Sequence, residues 1–371
     1  MATPAMADTM DPALARLVLD ERCRTGNASG NVGKYYNPLT GFARCPTNDA
    51  AFAKLIAQMG FAIAPTASHA ARTTGFGGYK VSFEAAYTTI DSDAHYWKEG
   101  TQGAVDESTG GSSIRNPSPD SLLQMYTLKL SKGFPFGVEL GAGFGHLANT
   151  TIVAGGGDVR IALFEGFRTS VPGFLPDVGV GGGVRTITGT PEVKLTVASF
   201  DAQVSKPIPI AGSVVVTPHV GYQWLRIFGD SGLVDLTPNT DAVQQCGYQG
   251  DNSPASPDPA KAPYFDGQPT CTGSSADFNN NVVFDAVRLT RHRLNFGAHL
   301  RYQMMHFGIH AITEVVPIAE ANQEKVEVLD PSDPSNNSNL TINYFEDDPR
   351  TEGDDAVKTQ WTIALELGAV F

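Results

Sequence analysis

Fourteen ionisable residues of this 371-residue chain fall on one parity of a series of alternating segments: Lys80, Glu84, Lys129, Glu139, Arg160, Asp177, Arg185, His219, Arg293, His299, Arg301, His310, Glu314 and Glu366. Both signs occur together. One reading is an ion-pair network that fills a narrow interior, because an unpaired buried charge is costly. The other is a polar path for small solutes, with opposed charges setting selectivity. His299 and His310 flank a turn near Met304, so they are expected to be neighbours. With Glu314 they offer a metal or acid–base cluster; the commoner arrangement is a set of hydrogen-bonded histidines. A hydrolase needs a nucleophile beside a histidine, or paired acids near a rim, and no motif here supplies either. The runs GAGFG, AGGGD and GVGGGV lack the Lys-Ser/Thr and helix pattern of a phosphate loop. The acidic stretch EDDPRTEGDD lacks the ligand spacing of an EF-hand. No cofactor and no metal ligand set is assigned from these patterns.

The elements that position these residues are strands. From Tyr79 onward the apolar period is two. YKVSFEAAYT sets Tyr79, Val81, Phe83, Ala85 and Tyr87 against Lys80, Ser82, Glu84 and Thr88. Comparable alternation runs through QMYTLKLSKGF, FGVELGAGFG, DVRIALF, DVGVGGGVRT, VKLTVASFDAQVSK, VVVTPHVGYQW, HRLNFGAHLRY and FGIHAITEV. In VKLTVASFDAQVSK the apolar parity changes near Ser199, which reads as a β-bulge. The chain ends TQWTIALELGAVF, with Trp361, Ile363, Leu365, Leu367, Ala369 and Phe371 on one face. That makes ten strands; KVEVL and NLTINYF could raise the number to twelve.

The connections around 132–136, 205–213 and 303–306 are short, whereas those around 91–119, 228–282 and 317–357 are long. In an up-and-down meander alternate connections share an end, which puts the longest at one end. Residues 8–78 differ from the rest and read as a helical N-terminal segment, periplasmic or plugging the lumen. Asp11 and Pro12 suit a helix start, Asn48 or Asp49 a second one, and Gly60 its stop. Residues 1–7 read as a signal-peptide remnant or a disordered tail. Cys23 with Cys45 and Cys246 with Cys271 form two local pairs without zinc-ligand spacing, and two disulfides are expected.

The net charge of −13 argues against a nucleic-acid partner. No apolar run approaches the roughly 18 residues of a membrane helix, but spanning strands need only about 9–11. Alternation alone fits a soluble barrel or an inverted one. Aromatics at strand ends, charges and glycines on the opposite face, and lopsided connections favour the inverted form, with apolar side chains to lipid. The terminal strand resembles the C-terminal signal of Gram-negative outer-membrane β-barrel proteins, carried here by Trp361, Ile363, Leu365, Leu367 and Phe371. That resemblance implies an integral outer-membrane protein, a segment read by the barrel-assembly machinery, and pairing of the last strand with the first. YNPL at 36–39 is similar to the Asn-Pro plug motif of long-chain fatty-acid channels, but lacks their phenylalanine after the proline.

The expectation is an all-β antiparallel up-and-down transmembrane β-barrel over 79–371, with a short helical N-terminal segment and long extracellular loops. Its partners are outer-membrane lipid, lipopolysaccharide and small solutes. Its expected function is a solute channel or transporter, gated by the N-terminal segment. A non-conducting structural or adhesive barrel with partner-binding loops is the first alternative, and an outer-membrane hydrolase the second.

Overall fold

The computed structural model describes residues 9–17, 47–103, 115–164, 175–211, 213–235, 246–248, 269–271, 281–315, 326–328, 340–342 and 357–371. Ten strands form one closed antiparallel ring. They are β1 Tyr79–Thr89, β2 Leu122–Phe134, β3 Val138–Leu147, β4 Val153–Phe164, β5 Asp177–Thr188, β6 Val193–Ser205, β7 Val214–Ser231, β8 Val287–Tyr302, β9 Met305–Glu314 and β10 Trp361–Val370. Each pairs with the next, and β10 returns to β1 with Phe83 opposite Leu367. Closure matters because an open sheet edge in lipid would leave backbone groups without partners. Val326–Val328 and Leu340–Ile342 pair only with each other, apart from the ring, so the barrel has ten strands and not twelve.

The alternation decides which face meets lipid. On β10, Trp361, Ile363, Leu365 and Leu367 are exposed, as is Phe371 just after it, while Thr362, Ala364 and Glu366 are buried. Leu128, Leu140 and Val220 are likewise exposed on the outer wall. A continuous apolar exterior around a ring of paired strands is the surface of a transmembrane barrel. Tyr79, Phe136, Tyr302 and Phe371 are exposed and gather at the end that carries the short turns.

The lumen has two zones, and this corrects the expected bulge at Ser199. The pairing of β5 with β6 runs without a register shift from Thr196 to Ser205. Val193, Leu195 and Val197 point inward, and so do Ser199, Asp201 and Gln203. What changes at Ser199 is the chemistry of the interior, from apolar to polar, and not the direction of the side chains. The apolar zone lies toward the long connections and also takes Leu123, Met125, Leu147, Leu225 and Ile227.

Helix α1 (Asp49–Ile63) fills that zone. The Asn48 side chain caps it by accepting the Ala51 N–H at 3.0 Å. The helix passes Gly60 and ends before Pro65, so Gly60 is not its stop. Gly60 serves close packing instead: a Cβ there would lie 2.7 Å from Ile227 Cγ2. Phe52, Leu55, Ile56 and Ile63 are fully buried against the wall. Helix α2 (His95–Gly100) lies over α1 at the long-connection end. Gln58 of α1 accepts the Trp97 indole N–H at 2.6 Å and donates to the Tyr96 hydroxyl at 3.0 Å. The helix expected from Asp11 and Pro12 appears among the described residues only as a short 3₁₀ turn, Leu14–Arg16. Residues 36–39, the acidic stretch near 346–355, Cys23 and Cys45 lie outside the described residues. Cys246 stands opposite Cys271 in the backbone register of a two-stranded ribbon; the side chains of both lie outside the described residues. The expected pair of disulfides finds no support among the described residues.

The helix–wall contact gives a stability prediction. Gly60→Val should overpack a site bounded by the stiff, β-branched Ile227 and cost about 1–3 kcal/mol. Gly155→Val, where a Cβ meets nothing within 4 Å, should be neutral. Thermal unfolding in detergent reads both; equal midpoints for the two variants would refute the packing account.

Candidate functional site

The carbonyls at the end of a helix have no partners within it, and where the end is buried, as at Phe61 and Ile63, something must supply donors. Two wall arginines, Arg293 and Arg185, do so, and a third, Arg291, binds a carbonyl more than a turn earlier. Arg291 donates to the Ala57 carbonyl at 2.9 Å, Arg293 to Phe61 at 3.0 Å and Arg185 to Ile63 at 3.2 Å. A cation at a helix C-terminus also complements the helix dipole. Arg291 and Arg293 both pack on the Phe61 ring, 4.5 and 4.8 Å from its centroid. Glu314 neutralises Arg291 through two bonds of 2.8 and 2.6 Å. Gln223 accepts from Arg293 Nε at 3.0 Å.

From Ala64 the chain crosses the polar zone and reaches the start of β1 at the short-turn end, bonded to the wall along the way. Thr66 and Ser68 donate to Glu84, which also pairs with Lys129. Gln203 donates to the Ala67 carbonyl at 3.2 Å. His69 meets Asp201 at 3.2 Å, and Arg72 meets Asp177 at 3.2 Å. Glu139 accepts the Thr74 N–H at 2.7 Å and pairs with Arg160. The wall opposite this segment is glycine-rich for a steric reason: a Cβ at Gly179 would lie 2.6 Å from the Ala71 carbonyl oxygen.

The other side of the polar zone is different. Lys80 pairs with Glu366 at 2.7 Å. Beside them His219, His299, His306 and His310 pack ring to ring, with centroids 4.7 to 5.0 Å apart. Register creates this cluster. Lumen-facing His219, Gly297 and His310 share one row across β7, β8 and β9. Thr217, His299, Gly308 and Glu366 share the next, across β7 to β10. Glycine alternates with histidine, and a Cβ at Gly308 would come within 2.6 Å of His310 Nε2. These imidazoles and Glu366 are the described groups best disposed to hold a metal ion.

Glu314 does not join them. It is four residues from His310 on one strand, about 13 Å at the usual strand rise, and it binds Arg291. Glu366 takes the place expected for it. Arg301 lies exposed at the short-turn mouth, donating to the Gln303 carbonyl at 3.2 Å. The sequence reading missed Arg291, His306 and Asp201, and gave no individual role to residues 64–74, which it placed within the N-terminal segment. Parity alone would have added Arg291, two residues from Arg293, and His306, four from His310.

The two ends of the lumen differ. At the long-connection end residues 9–17 tie α2 to neighbouring turns: Ala13 N–H donates to Gly100 and Met10 N–H to Asn149, both at 2.9 Å. Glu192 accepts the Leu14 N–H at 2.6 Å. Burial pushes the Glu192 carboxyl up and draws the nearby Arg16 guanidinium down from their ordinary pKa values. At the short-turn end a cavity of about 200 Å³ reaches the histidines, lined by Arg72, Lys80, Thr217, His299, Arg301 and His306.

The fold and this interior define a plugged transmembrane β-barrel. No family model matches the sequence, and no curated protein matches it. Among solved structures the fold is similar to that of Ail, the attachment invasion locus protein of Yersinia pestis, at 8% identity and a TM-score of 0.25 over 80% of this chain and 99% of that one. It is also similar to the outer membrane protein OprG from Pseudomonas aeruginosa, at 11% identity and a TM-score of 0.25 over 82% and 99%. The translocator domain of autotransporter NalP from Neisseria meningitidis aligns at 8% identity and a TM-score of 0.28 over 81% and 89%. At such scores the architecture rests on the strand pairing seen in this chain.

The asymmetry of the lumen predicts an accessibility pattern. With the native cysteines changed to serine, Arg301→Cys and Thr217→Cys should react quickly with a water-soluble thiol reagent in the folded barrel. Gln223→Cys, beneath the helix end, should stay protected. Equal labelling of all three would contradict a seal above the histidines.

Proposed function

We propose that this chain is an integral barrel of a Gram-negative outer membrane, its long connections facing outward, held shut by its own N-terminal segment. Small solutes pass only when that segment yields. The observation that carries the reading is the occupied lumen: α1 seals one zone and residues 64–74 run through the other. Burying a Leu, Ile or Phe is worth roughly 1.5–3 kcal/mol. Phe52, Leu55, Ile56 and Ile63 together therefore set a gross cost on the order of 10 kcal/mol for expelling the helix. Spontaneous opening is rare on that scale, and a driving input such as a ligand or a partner is needed. In this reading the last strand, with Trp361, Ile363, Leu365, Leu367 and Phe371 toward lipid, is what the assembly machinery recognises. Lipid and lipopolysaccharide are the neighbours of the outer wall.

The same filled lumen favours a second reading, a non-conducting barrel whose outward face binds a partner. The cap formed by residues 9–17 and α2, whose Met10, Leu14, Leu17 and Trp97 are buried in the core, supports a rigid platform there.

Planar-bilayer recording separates the two. The wild-type chain should be silent at moderate voltage. Leu55→Asp with Ile56→Asp, which loosens the plug and leaves the wall intact, should show discrete conductance steps. Silence in both, from barrels that still shift on heating in gel electrophoresis, would remove the gated channel and leave the platform.

A further inference from the structure

We propose that the lumen contains a binding site for one divalent transition-metal ion of the zinc type, with His219, His299 and His310 as its ligands. His306 and Glu366 form an entry position that shares His299. This site goes beyond the gating reading and does not depend on whether the barrel conducts.

The first observation is proximity. The ligand atoms of His219, His299 and His310 lie within 4.8 Å of one another, and so do those of His299, His306 and Glu366. His310 Nδ1 and His219 Nε2 are 3.2 Å apart. Zinc–nitrogen bonds are about 2.0–2.1 Å, so tetrahedral nitrogens stand about 3.4 Å apart. Small ring rotations bring the remaining atoms into range.

The second observation is the absence of other partners. All four histidines and Glu366 are buried. Among the described residues no hydrogen bond reaches either nitrogen of His299, His306 Nδ1 or His310 Nε2. Buried polar atoms are nearly always bonded, so a group of bare nitrogens in one place asks for a ligand. His310 Nδ1 and His219 Nε2 share one imidazole–imidazole hydrogen bond, and the ring nitrogens left without a protein partner are ones that a shared cation would satisfy. The donor set, imidazole with one carboxylate, suits zinc, copper or nickel better than calcium or magnesium. Lys80 holds Glu366 Oε1, leaving Oε2 for the entry position.

The third observation concerns room and access. Gly297 and Gly308 are the lumen-facing residues next to the rings, and a Cβ at Gly297 would fall 2.9 Å from both His219 Cε1 and His310 Nδ1. Only glycine leaves the rings where they are. The cavity at the short-turn end is lined by His299 and His306, so an ion can arrive from solution on that side without crossing the plug.

The test uses the full chain without a polyhistidine tag, stripped with a chelator in detergent. Cobalt(II) is the spectroscopic probe and zinc the competitor. The wild type should take up one ion, give the visible absorption of a tetrahedral nitrogen-ligated cobalt site, and lose it when zinc is added. Zinc should also raise the unfolding temperature. His299→Ala should weaken binding more than about 100-fold, beyond the 10–100-fold effect of an orienting partner. His292→Ala is the control: His292 bonds Tyr222 on the outer wall and should bind as the wild type does. If His299→Ala does not fold, His219→Gln and His310→Gln carry the same expectation. No tetrahedral cobalt signal in the wild type, or equal affinity in the cluster variants and the His292 control, would overturn the proposal.

Discussion

A helix that ends buried inside a barrel must find donors for its last carbonyls from the wall around it. Much of this interior follows from that need. Arg185 and Arg293 reach in from the wall to the end carbonyls of Ile63 and Phe61, and Arg291 adds a bond to the Ala57 carbonyl more than a turn earlier. A buried arginine then needs its own compensation. Glu314 and Gln223 provide it, and Gln360 accepts from Arg291 as well. The arginines thus fix the depth of α1, and with it the level at which the lumen turns from apolar to polar.

Below that level the chain itself supplies what water would otherwise do. Residues 64–74 bond to wall carboxylates and amides along their length, through Glu84, Asp177, Asp201, Gln203 and Glu139. That accounts for most of the charges crowding one half of the polar zone. The other half is left to Lys80, Glu366 and four histidines, which meet one another instead of the plug. The lumen is thus divided lengthwise as well as by depth: one wall is occupied, and the facing wall is open to the short-turn mouth.

How much of this was legible in the sequence depends on the range of the interaction. The wall was readable because strand parity is local. Trp361 to Phe371, Leu128 and Val220 face outward as alternation required. The number of barrel strands followed from the same signal. What failed needed knowledge of the plug. Val193, Leu195 and Val197 looked displaced only because a polar lumen was assumed throughout; they are apolar because α1 lies against them. Gly60 looked like a helix stop because its role, contact with Ile227, is made 167 residues away. Glu314 looked like a partner for His310 by sequence distance, whereas pairing across strands brings in Glu366. Register, and not proximity along the chain, decides which lumen side chains meet.

The central claim is that α1 sits inside the barrel at rest. Backbone hydrogen exchange of the full chain in a lipid nanodisc measures that most directly. Amides over 49–63 should exchange as slowly as those of β1 and β10, because they are shielded by the wall and by the cap above. Exchange of that helix within seconds, while the strands stay protected, would contradict the account and mean that the lumen is empty.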